Sequence, residues 1–250
     1  MTGPHLVFYP SLITSHEASM LLTIDIGNSN VVWGLFQQQV LTGPWRLPTD
    51  PDHTAAEYGG CLLGQLRVIG ITADQVTDVI LCSVVPSLTP VFEQLAVACF
   101  HRPPLVVSSQ MDTGLTLRYT NPRELGTDRL ANAAAAYDRY KTSLIVVDLG
   151  TATTFCVITQ SGDYLGGAIA PGLGISAEAL FSRTAQLPKV ELVPPKTVIG
   201  RDTRSSIQSG LIIGHAGLVD TIATRMQDEL GQKTFVVATG GFSSIVAPES

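Results

Sequence analysis

Residues 21–36 read LLTIDIGNSNVVWGLF, and this stretch decides the fold. An apolar run carries Asp25 near its end, a polar turn follows at residues 27–30, and a second apolar run begins at Val31. The pattern predicts a strand, a tight turn and a returning strand. Gly27 lets the backbone approach a ligand closely, and backbone donors suit phosphate oxygens. The Asp25 carboxylate suits the Mg²⁺ that accompanies phosphates, so the hairpin is a candidate phosphate-binding element.

A second stretch, residues 144–158, repeats this plan as LIVVDLGTATTFCVI. When Asp148 is aligned with Asp25, Gly150 falls on Gly27 and Thr151 on Asn28. A single hairpin of this kind is more often an ordinary turn. Two copies separated by about the length of one small domain instead favour a duplicated fold that grips one nucleotide from both sides.

Composition places the chain among globular proteins. Hydrophobic residues make up 45% of the 250 residues, charged residues make up 14%, and the net charge is −6. These values predict two domains with extensive cores and argue against a general nucleic-acid partner. No apolar run approaches the roughly 20 residues that span a bilayer, so we expect a soluble, cytoplasmic protein with no membrane partner. The four cysteines form no Cys-x-x-Cys pair, which indicates neither a zinc site nor a redox motif.

Strands alternate with helices along the chain, which predicts an α/β fold. We expect a first domain over residues 20–139 and a second over residues 140–250. Residues 1–19 contain no Lys or Arg, and Pro10 interrupts their apolar stretch, so they are a poor secretory signal. We expect them to form a mobile extension outside the fold.

Residues 119–140 read YTNPRELGTDRLANAAAAYDRY and form the second informative stretch. Gly126 is expected to end a short turn, and Thr127 to cap a helix that carries Asp128 and Arg129 in its first turn. Acidic residues are common at helix starts, and Arg129 could be a surface charge. A kinase, however, needs such a pair, because the carboxylate can accept the proton of an acceptor hydroxyl. The adjacent guanidinium can hold an anionic end of the acceptor.

Two common glycine-rich nucleotide-binding motifs can be set aside as the phosphate site of this chain. Residues 172–177 match a dinucleotide fingerprint formally, but the preceding proline and the missing downstream acidic residue argue against it. We expect instead a glycine-rich loop that leads into a helix over residues 177–181. No Walker A sequence is present, so the phosphates are expected at the Asp-Gly hairpins. The turn after Thr239 offers further backbone, suited to the adenosine.

These motifs together resemble those of type III pantothenate kinases, in the actin, hexokinase and chaperone-ATPase superfamily. The resemblance covers residues 20–250 and rests on six segments in order: DIGNSN from Asp25, SVVP from Ser83, YTNPRELGTDR from Tyr119, DLGTATT from Asp148, GGAIAPG from Gly166 and TGG from Thr239. It implies duplicated actin-like (ribonuclease H-like) domains with mixed sheets flanked by helices. It also implies ATP-dependent phosphorylation of pantothenate to phosphopantothenate, the first step of coenzyme A biosynthesis, by a homodimer.

The resemblance also implies roles for particular residues. Asp128 corresponds to the general base, and Asp148 to the ligand of a monovalent cation, K⁺ or NH₄⁺. The residues implied in binding ATP with its Mg²⁺ are Asp25, Ile26, Gly27, Asn28, Ser29, Asn30, Val31, Val32 and Thr151. The residues implied in binding pantothenate are Tyr119, Gly126, Thr127, Asp128, Arg129 and Thr184.

Two departures from the family pattern accompany the resemblance. Residues 1–19 have no family counterpart, and the chain ends at Ser250, soon after the TGG motif, where family members usually continue. Two other functions stay open at this point: a regulator of gene expression without catalysis, and a kinase for another small hydroxyl acid. The presence of Asp128, Arg129 and Asp148 favours catalysis, since a pure binding module would not need all three.

Overall fold

Two five-stranded mixed sheets organise the chain in the computed structural model, which describes residues 19–250. The predicted extension over residues 1–19 lies, apart from Ser19, outside the described residues. The contacts divide the described chain into an N-terminal unit, residues 19–113 with 123–131, and a C-terminal unit, residues 114–122 with 132–250. These units are discontinuous in sequence and do not test the expected domain boundaries. The domains expected over residues 20–139 and 140–250 therefore stay a prediction.

The sheet of the N-terminal unit is built around the first hairpin. Its strands are β1 (Met20–Ile26), β2 (Asn30–Gln37), β3 (Val40–Pro48), β4 (Asp78–Ser83) and β5 (Leu105–Val106). They lie in the order β3-β2-β1-β4-β5, with β1 antiparallel to β2 and parallel to β4. Helix α1 (Ala55–Val68) precedes β4, and helix α2 (Thr89–Phe100) precedes β5. The buried face of the sheet carries Leu22, Ile24 and Trp33, which pack with apolar residues of both helices.

Local sequence explains where helix α1 begins. Thr54 accepts a hydrogen bond from the amide of Glu57, and the Glu57 carboxylate accepts one from the amide of Thr54. This reciprocal capping satisfies two amides that the first turn leaves without helical partners. Helix α1 therefore begins at Ala55, with Thr54 as its cap.

The sheet of the C-terminal unit repeats the arrangement. Its strands are β6 (Thr116–Leu117), β7 (Leu144–Leu149), β8 (Ala152–Ile158), β9 (Asp163–Pro171) and β10 (Phe235–Thr239). They lie in the order β10-β7-β8-β9-β6, with β7 antiparallel to β8 and parallel to β10. The helices are α3 (Thr127–Tyr140), α4 (Leu173–Ser182), α5 (Thr203–Leu230) and α6 (Ser243–Val246). The division of contacts falls within α3.

The two sheets share one register around their carboxylates. Asp25 of β1 lies opposite Val32 of the returning strand and Cys82 of the parallel strand. In the second sheet, Asp148 lies opposite Thr154 and Thr239 in the same way. The sheets differ at their edges, because the fifth strand lies beside β4 in one and beside β9 in the other. The predicted α/β fold, with two similar mixed sheets flanked by helices, is confirmed.

Helix α4 begins earlier than the sequence predicted. The glycine-rich segment before residue 177 was expected to be a loop, but strand β9 continues to Pro171 and the helix starts at Leu173. Leu173 is buried in the core, and the carbonyl of Gly172 accepts a hydrogen bond from the amide of Ser176. Burial of one apolar side chain thus outweighs the low helix propensity of the glycines.

Helix α5 supplies most of the apolar cover of the second sheet. Asp202 caps its start by accepting from the amide of Ser205, and Gly231 ends it in the left-handed conformation. Its buried face carries Ile207, Leu211, Ile212, Ala216, Val219 and Ala223. No helix within residues 19–250 is both long and apolar enough to span a membrane.

A buried histidine interrupts this apolar face. His215 is 6% exposed, and its Nε2 lies 2.8 Å from the hydroxyl oxygen of Thr153, which is fully buried. Burial lowers the pKa of His215, because the charged imidazolium loses its hydration. The unfolded chain therefore binds a proton at this site more readily than the folded chain does.

We predict that the free energy of unfolding falls as the pH decreases below about 6.5, the ordinary pKa of histidine, because protonation then favours the unfolded chain. The contribution has a slope of at most about 1.4 kcal/mol per pH unit. Urea unfolding between about pH 5 and 8 measures it. The His215→Gln variant should lose this part of the pH dependence, and the exposed His53→Gln control should keep it. Equal pH profiles for wild type and His215→Gln would contradict the prediction.

Candidate active site

The turn of the first hairpin is braced by a residue beyond β3. The amide of Gly27 donates to the carbonyl of Asn30 over 3.0 Å. The hydroxyl of Thr49 donates to the carbonyl of Gly27 over 2.6 Å, and its amide donates to the carbonyl of Ser29 over 3.1 Å. Asn28 and Ser29 are exposed. Three carbonyl oxygens, which would repel a phosphate, are thus engaged inside the unit, while the polar side chains face solvent.

Cys82 connects the hairpin with the start of α3. It lies opposite Asp25 in the parallel register and is buried. Its pKa is raised well above the ordinary value, chiefly by burial and then by the negative charges of Asp25 and Asp128. The structure therefore brings the predicted phosphate-side carboxylate and the predicted base to one neutral thiol within the N-terminal unit.

The start of α3 is anchored to the end of β4. The hydroxyl of Thr127 donates to the carbonyl of Ser83 over 2.8 Å and accepts from the thiol of Cys82 over 3.4 Å. The first helical carbonyl belongs to Gly126, which accepts from the amide of Leu130 over 3.1 Å. Thr127 was expected to cap the helix, but α3 begins at Thr127 itself, so Gly126 holds the cap position and the Thr127 hydroxyl contacts the neighbouring strand.

Asp128 and Arg129 follow in the first turn of α3. Arg129 is only 7% exposed, so it is not a surface charge. Its amide donates to Oδ1 of Asp128 over 2.7 Å. Burial raises the pKa of Asp128, although this amide and the guanidinium of Arg129 oppose the shift. Gly126 leaves room for the carboxylate, since a Cβ there would lie 2.5 Å from Oδ1 of Asp128.

The C-terminal unit holds its own carboxylate at the end of β7. Nδ2 of Asn132, on α3, donates to Oδ2 of Asp148 over 2.9 Å. A Cβ at Gly150 would lie 3.4 Å from the other oxygen, Oδ1, and a Cβ at Gly240 would collide with it. The amide of Phe242 donates to the carbonyl of Leu149, which ties the two turns to each other. Asp148 is therefore enclosed by a helix on one side and glycine backbone on the other.

The remaining predicted site residues of the C-terminal unit lie in three places. Thr151 is exposed in the turn of the second hairpin. Tyr119 packs edge-on against the ring of Tyr164, with centroids 6.1 Å apart. Thr184 is exposed just after α4, and its hydroxyl donates to the carbonyl of Leu180 over 2.7 Å.

Comparison with known proteins shows the family of this chain. The family model described as type III pantothenate kinase matches residues 21–225. The chain belongs to the type III pantothenate kinase family. The type III pantothenate kinase of Geobacter sulfurreducens is 49% identical over 231 residues, which cover 92% of this chain and 91% of that protein. The one from Moorella thermoacetica is 46% identical over 230 residues, with the same two coverages.

A solved structure shares the fold. A protein described as a Baf family transcriptional activator, from Campylobacter jejuni, matches 92% of this chain and 87% of its own chain with a TM-score of 0.55. Its sequence identity is 18%, so this likeness concerns the fold alone. The resemblance to pantothenate kinases found in the sequence is confirmed by the family match and by the relatives.

The residue types at the two hairpins fit a nucleotide with its Mg²⁺. Within residues 19–250 no group of three or more His, Cys, Asp or Glu side chains could hold a metal ion. Mg²⁺ in kinases is held by one or two carboxylates together with phosphate oxygens and water, so it needs no such cluster. Single carboxylates beside glycine turns, as at Asp25 and Asp148, meet that requirement.

Three residues that contact the candidate site of this pantothenate kinase family member were absent from the sequence-based prediction. Thr49 lies one residue past β3, Cys82 lies across the parallel register, and Asn132 lies on α3. Only Asn132 carried a signal, because it is a polar residue in the run LANAAAA, where its neighbours are apolar. The contacts of the other two depend on strand pairing, which local sequence does not encode.

We predict that Gly240→Ala weakens nucleotide binding and lowers the free energy of unfolding. Gly240 has a φ of 92°, and an added Cβ would meet both Asp148 and the backbone of Leu149. The control is Gly231→Ala, since Gly231 has a φ of 65° but open space around it. Both variants incur backbone strain, and steric overlap should cost Gly240→Ala about 2 kcal/mol more. Urea unfolding and ADP titration measure the difference, and equal losses would contradict the prediction.

Proposed function

We propose that this protein transfers the terminal phosphoryl group of ATP to the primary hydroxyl of pantothenate, the first step of coenzyme A biosynthesis. The observation that carries the proposal is the family match over residues 21–225 in a chain that retains both Asp-Gly hairpins and the Asp128-Arg129 pair. Type III pantothenate kinases are phosphotransferases with an alcohol acceptor, and the fold provides a hairpin in each unit suited to phosphate.

Asp128 is the proposed general base. Phosphoryl transfer proceeds through a loose transition state, so the acceptor hydroxyl needs alignment and late removal of its proton. Burial makes the Asp128 carboxylate a stronger base than an exposed aspartate, because it raises the pKa. The amide of Arg129 fixes Oδ1 of Asp128, and the lack of a Cβ at Gly126 leaves space for that oxygen.

Arg129 is the proposed partner of the pantothenate carboxylate. Its guanidinium is held in the first turn of α3, beside the base, and is largely removed from water. A forked, charge-assisted contact from a buried arginine both binds a carboxylate and fixes its orientation. We place pantothenate at this end of α3, with further contacts from Tyr119, Gly126, Thr127 and Thr184. The proton of the Thr127 hydroxyl is already donated to Ser83, so its side chain has acceptor capacity only.

ATP is proposed to bind at residues 25–32, together with Thr151. Bound Mg²⁺ supplies positive charge that offsets the negative charge of the phosphates. The chain's own contribution is the braced turn at Gly27, the exposed side chains of Asn28 and Ser29, and the carboxylate of Asp25. These groups hold and orient the phosphates, which is most of what a phosphoryl transferase must do.

A monovalent cation, K⁺ or NH₄⁺, is proposed to bind at Asp148. A second cation would offset negative charge close to the phosphates.

The oligomeric state is a separate proposal. We also propose that the protein is a homodimer in the cytoplasm. Exposed large apolar side chains on β9 and α4 support dimer formation, because they would be removed from water in an interface. They are Leu165, Ile169, Ile175 and Phe181.

We predict that Asp128→Asn binds ATP like the wild type but phosphorylates pantothenate about 10²- to 10⁴-fold more slowly, because the amide cannot accept the hydroxyl proton. The measurement is ADP formation with ATP, Mg²⁺, K⁺ and pantothenate, together with ATP titration. Glu124→Gln is the control, since Glu124 is an exposed carboxylate shortly before the same helix. An unchanged rate in Asp128→Asn would remove Asp128 from this role.

We also predict that kcat/KM for pantothenate falls as the pH decreases through the pKa of Asp128, because only the carboxylate form accepts a proton. The acidic limb should lie above the ordinary aspartate value of 3.8, since burial raises this pKa. A pH profile of the initial rate measures it, and the limb should be missing in the residual activity of Asp128→Asn. ATP turnover that is the same with and without pantothenate would contradict the proposed substrate.

A further inference from the structure

Asn132 contacts a carboxylate that the proposed function uses. It lies on α3, followed by four buried alanines, Ala133 to Ala136. Its Nδ2 donates to Oδ2 of Asp148 over 2.9 Å, and both residues belong to the C-terminal unit. A polar side chain whose neighbours along the helix are apolar thus reaches the end of strand β7.

The chemistry of the amide suits a carboxylate that must keep its charge. A lysine or arginine at this position would pair with Asp148 and compete with a cation for it. An amide donates a hydrogen bond without carrying charge, so it fixes the carboxylate and leaves the negative charge available. A leucine of similar size would fill the space and provide no donor.

The two oxygens of the Asp148 carboxylate lie in different surroundings. Oδ2 is held by Asn132, while Oδ1 faces glycine backbone at Gly150 and Gly240. Gly150 belongs to the turn of the second hairpin, and Gly240 to the turn after β10. With Oδ2 directed to α3, Oδ1 is the oxygen on the side of the two turns.

We infer that Asn132 is a positioning residue, which holds Oδ2 of Asp148 so that the carboxylate can bind a cation accompanying the nucleotide. The inference rests on the proposed function of the hairpins as a phosphate site. Hydrogen bonds to a metal-ligating carboxylate orient the ligand, and their loss typically costs about 10- to 100-fold in metal affinity. A purely structural tether between helix and strand would instead change stability and leave the cation dependence unaltered.

The test measures cation-dependent nucleotide binding, so it does not require turnover. The full-length protein is titrated calorimetrically with ADP at a series of K⁺ and Mg²⁺ concentrations. In Asn132→Leu, the concentration of at least one of these cations required for half-maximal ADP affinity should rise about 10-fold. Asn132→Gln, which keeps an amide donor, should show a smaller rise. Asp138→Asn, which neutralises an exposed carboxylate of the same helix that pairs with Lys141 just after it, should leave both dependences unchanged.

Thermal unfolding of each variant without ligand separates positioning from folding. A lower Tm for Asn132→Leu with unchanged K⁺ and Mg²⁺ dependences would overturn the inference, as would ADP binding by the wild type that needs neither cation. If wild type shows the cation dependence and Asn132→Leu shifts it, the inference holds even where pantothenate is not phosphorylated. That last result would reject the proposed substrate alone, so the two failures are distinguishable.

Discussion

The parallel pairing beside each hairpin is the constraint on which the candidate site depends. A hairpin alone places a carboxylate near a turn, but the neighbouring parallel strand decides what that carboxylate faces. Pairing of β1 with β4 sets Cys82 beside Asp25, and pairing of β7 with β10 sets Thr239 beside Asp148. The turns that follow β4 and β10 thereby lie at the same end of each sheet as the hairpin turns. This is the end formed by the carboxyl termini of the parallel strands, where ligands of such sheets bind. The chemistry of each unit follows from this register.

Much of the architecture could be predicted from the sequence, because local patterns of apolar and polar residues indicate the strands, turns and helices. Apolar runs around Asp25 and Asp148 predicted both hairpins, and the alternation of strands and helices predicted the α/β class. The pair of matching motifs, and the resemblance that they carry, indicated the duplication and the family. The start of α4 was missed because glycine propensity argued for a loop, whereas tertiary burial of Leu173 favours helix.

The candidate site was predictable in its residue types and less so in its contacts. Asp128 and Arg129 were identified from the first turn of a predicted helix, but the burial of Arg129 was not. The brace from Thr49 and the anchor from Thr127 to Ser83 join segments distant in sequence. Such contacts depend on strand register and helix placement, which periodicity does not specify. The long-range hydrogen bonds are therefore the part that only the structure supplies.

The environment of Cys82 has a consequence for covalent inhibitors. Thiol reagents attack the thiolate, and two neighbouring carboxylates together with burial keep this thiol protonated. Cys61, by contrast, is exposed on α1. Electrophiles and peroxides will therefore modify Cys61 before they reach Cys82, so a cysteine-directed compound labels this protein on its outer surface and leaves the candidate site chemically intact.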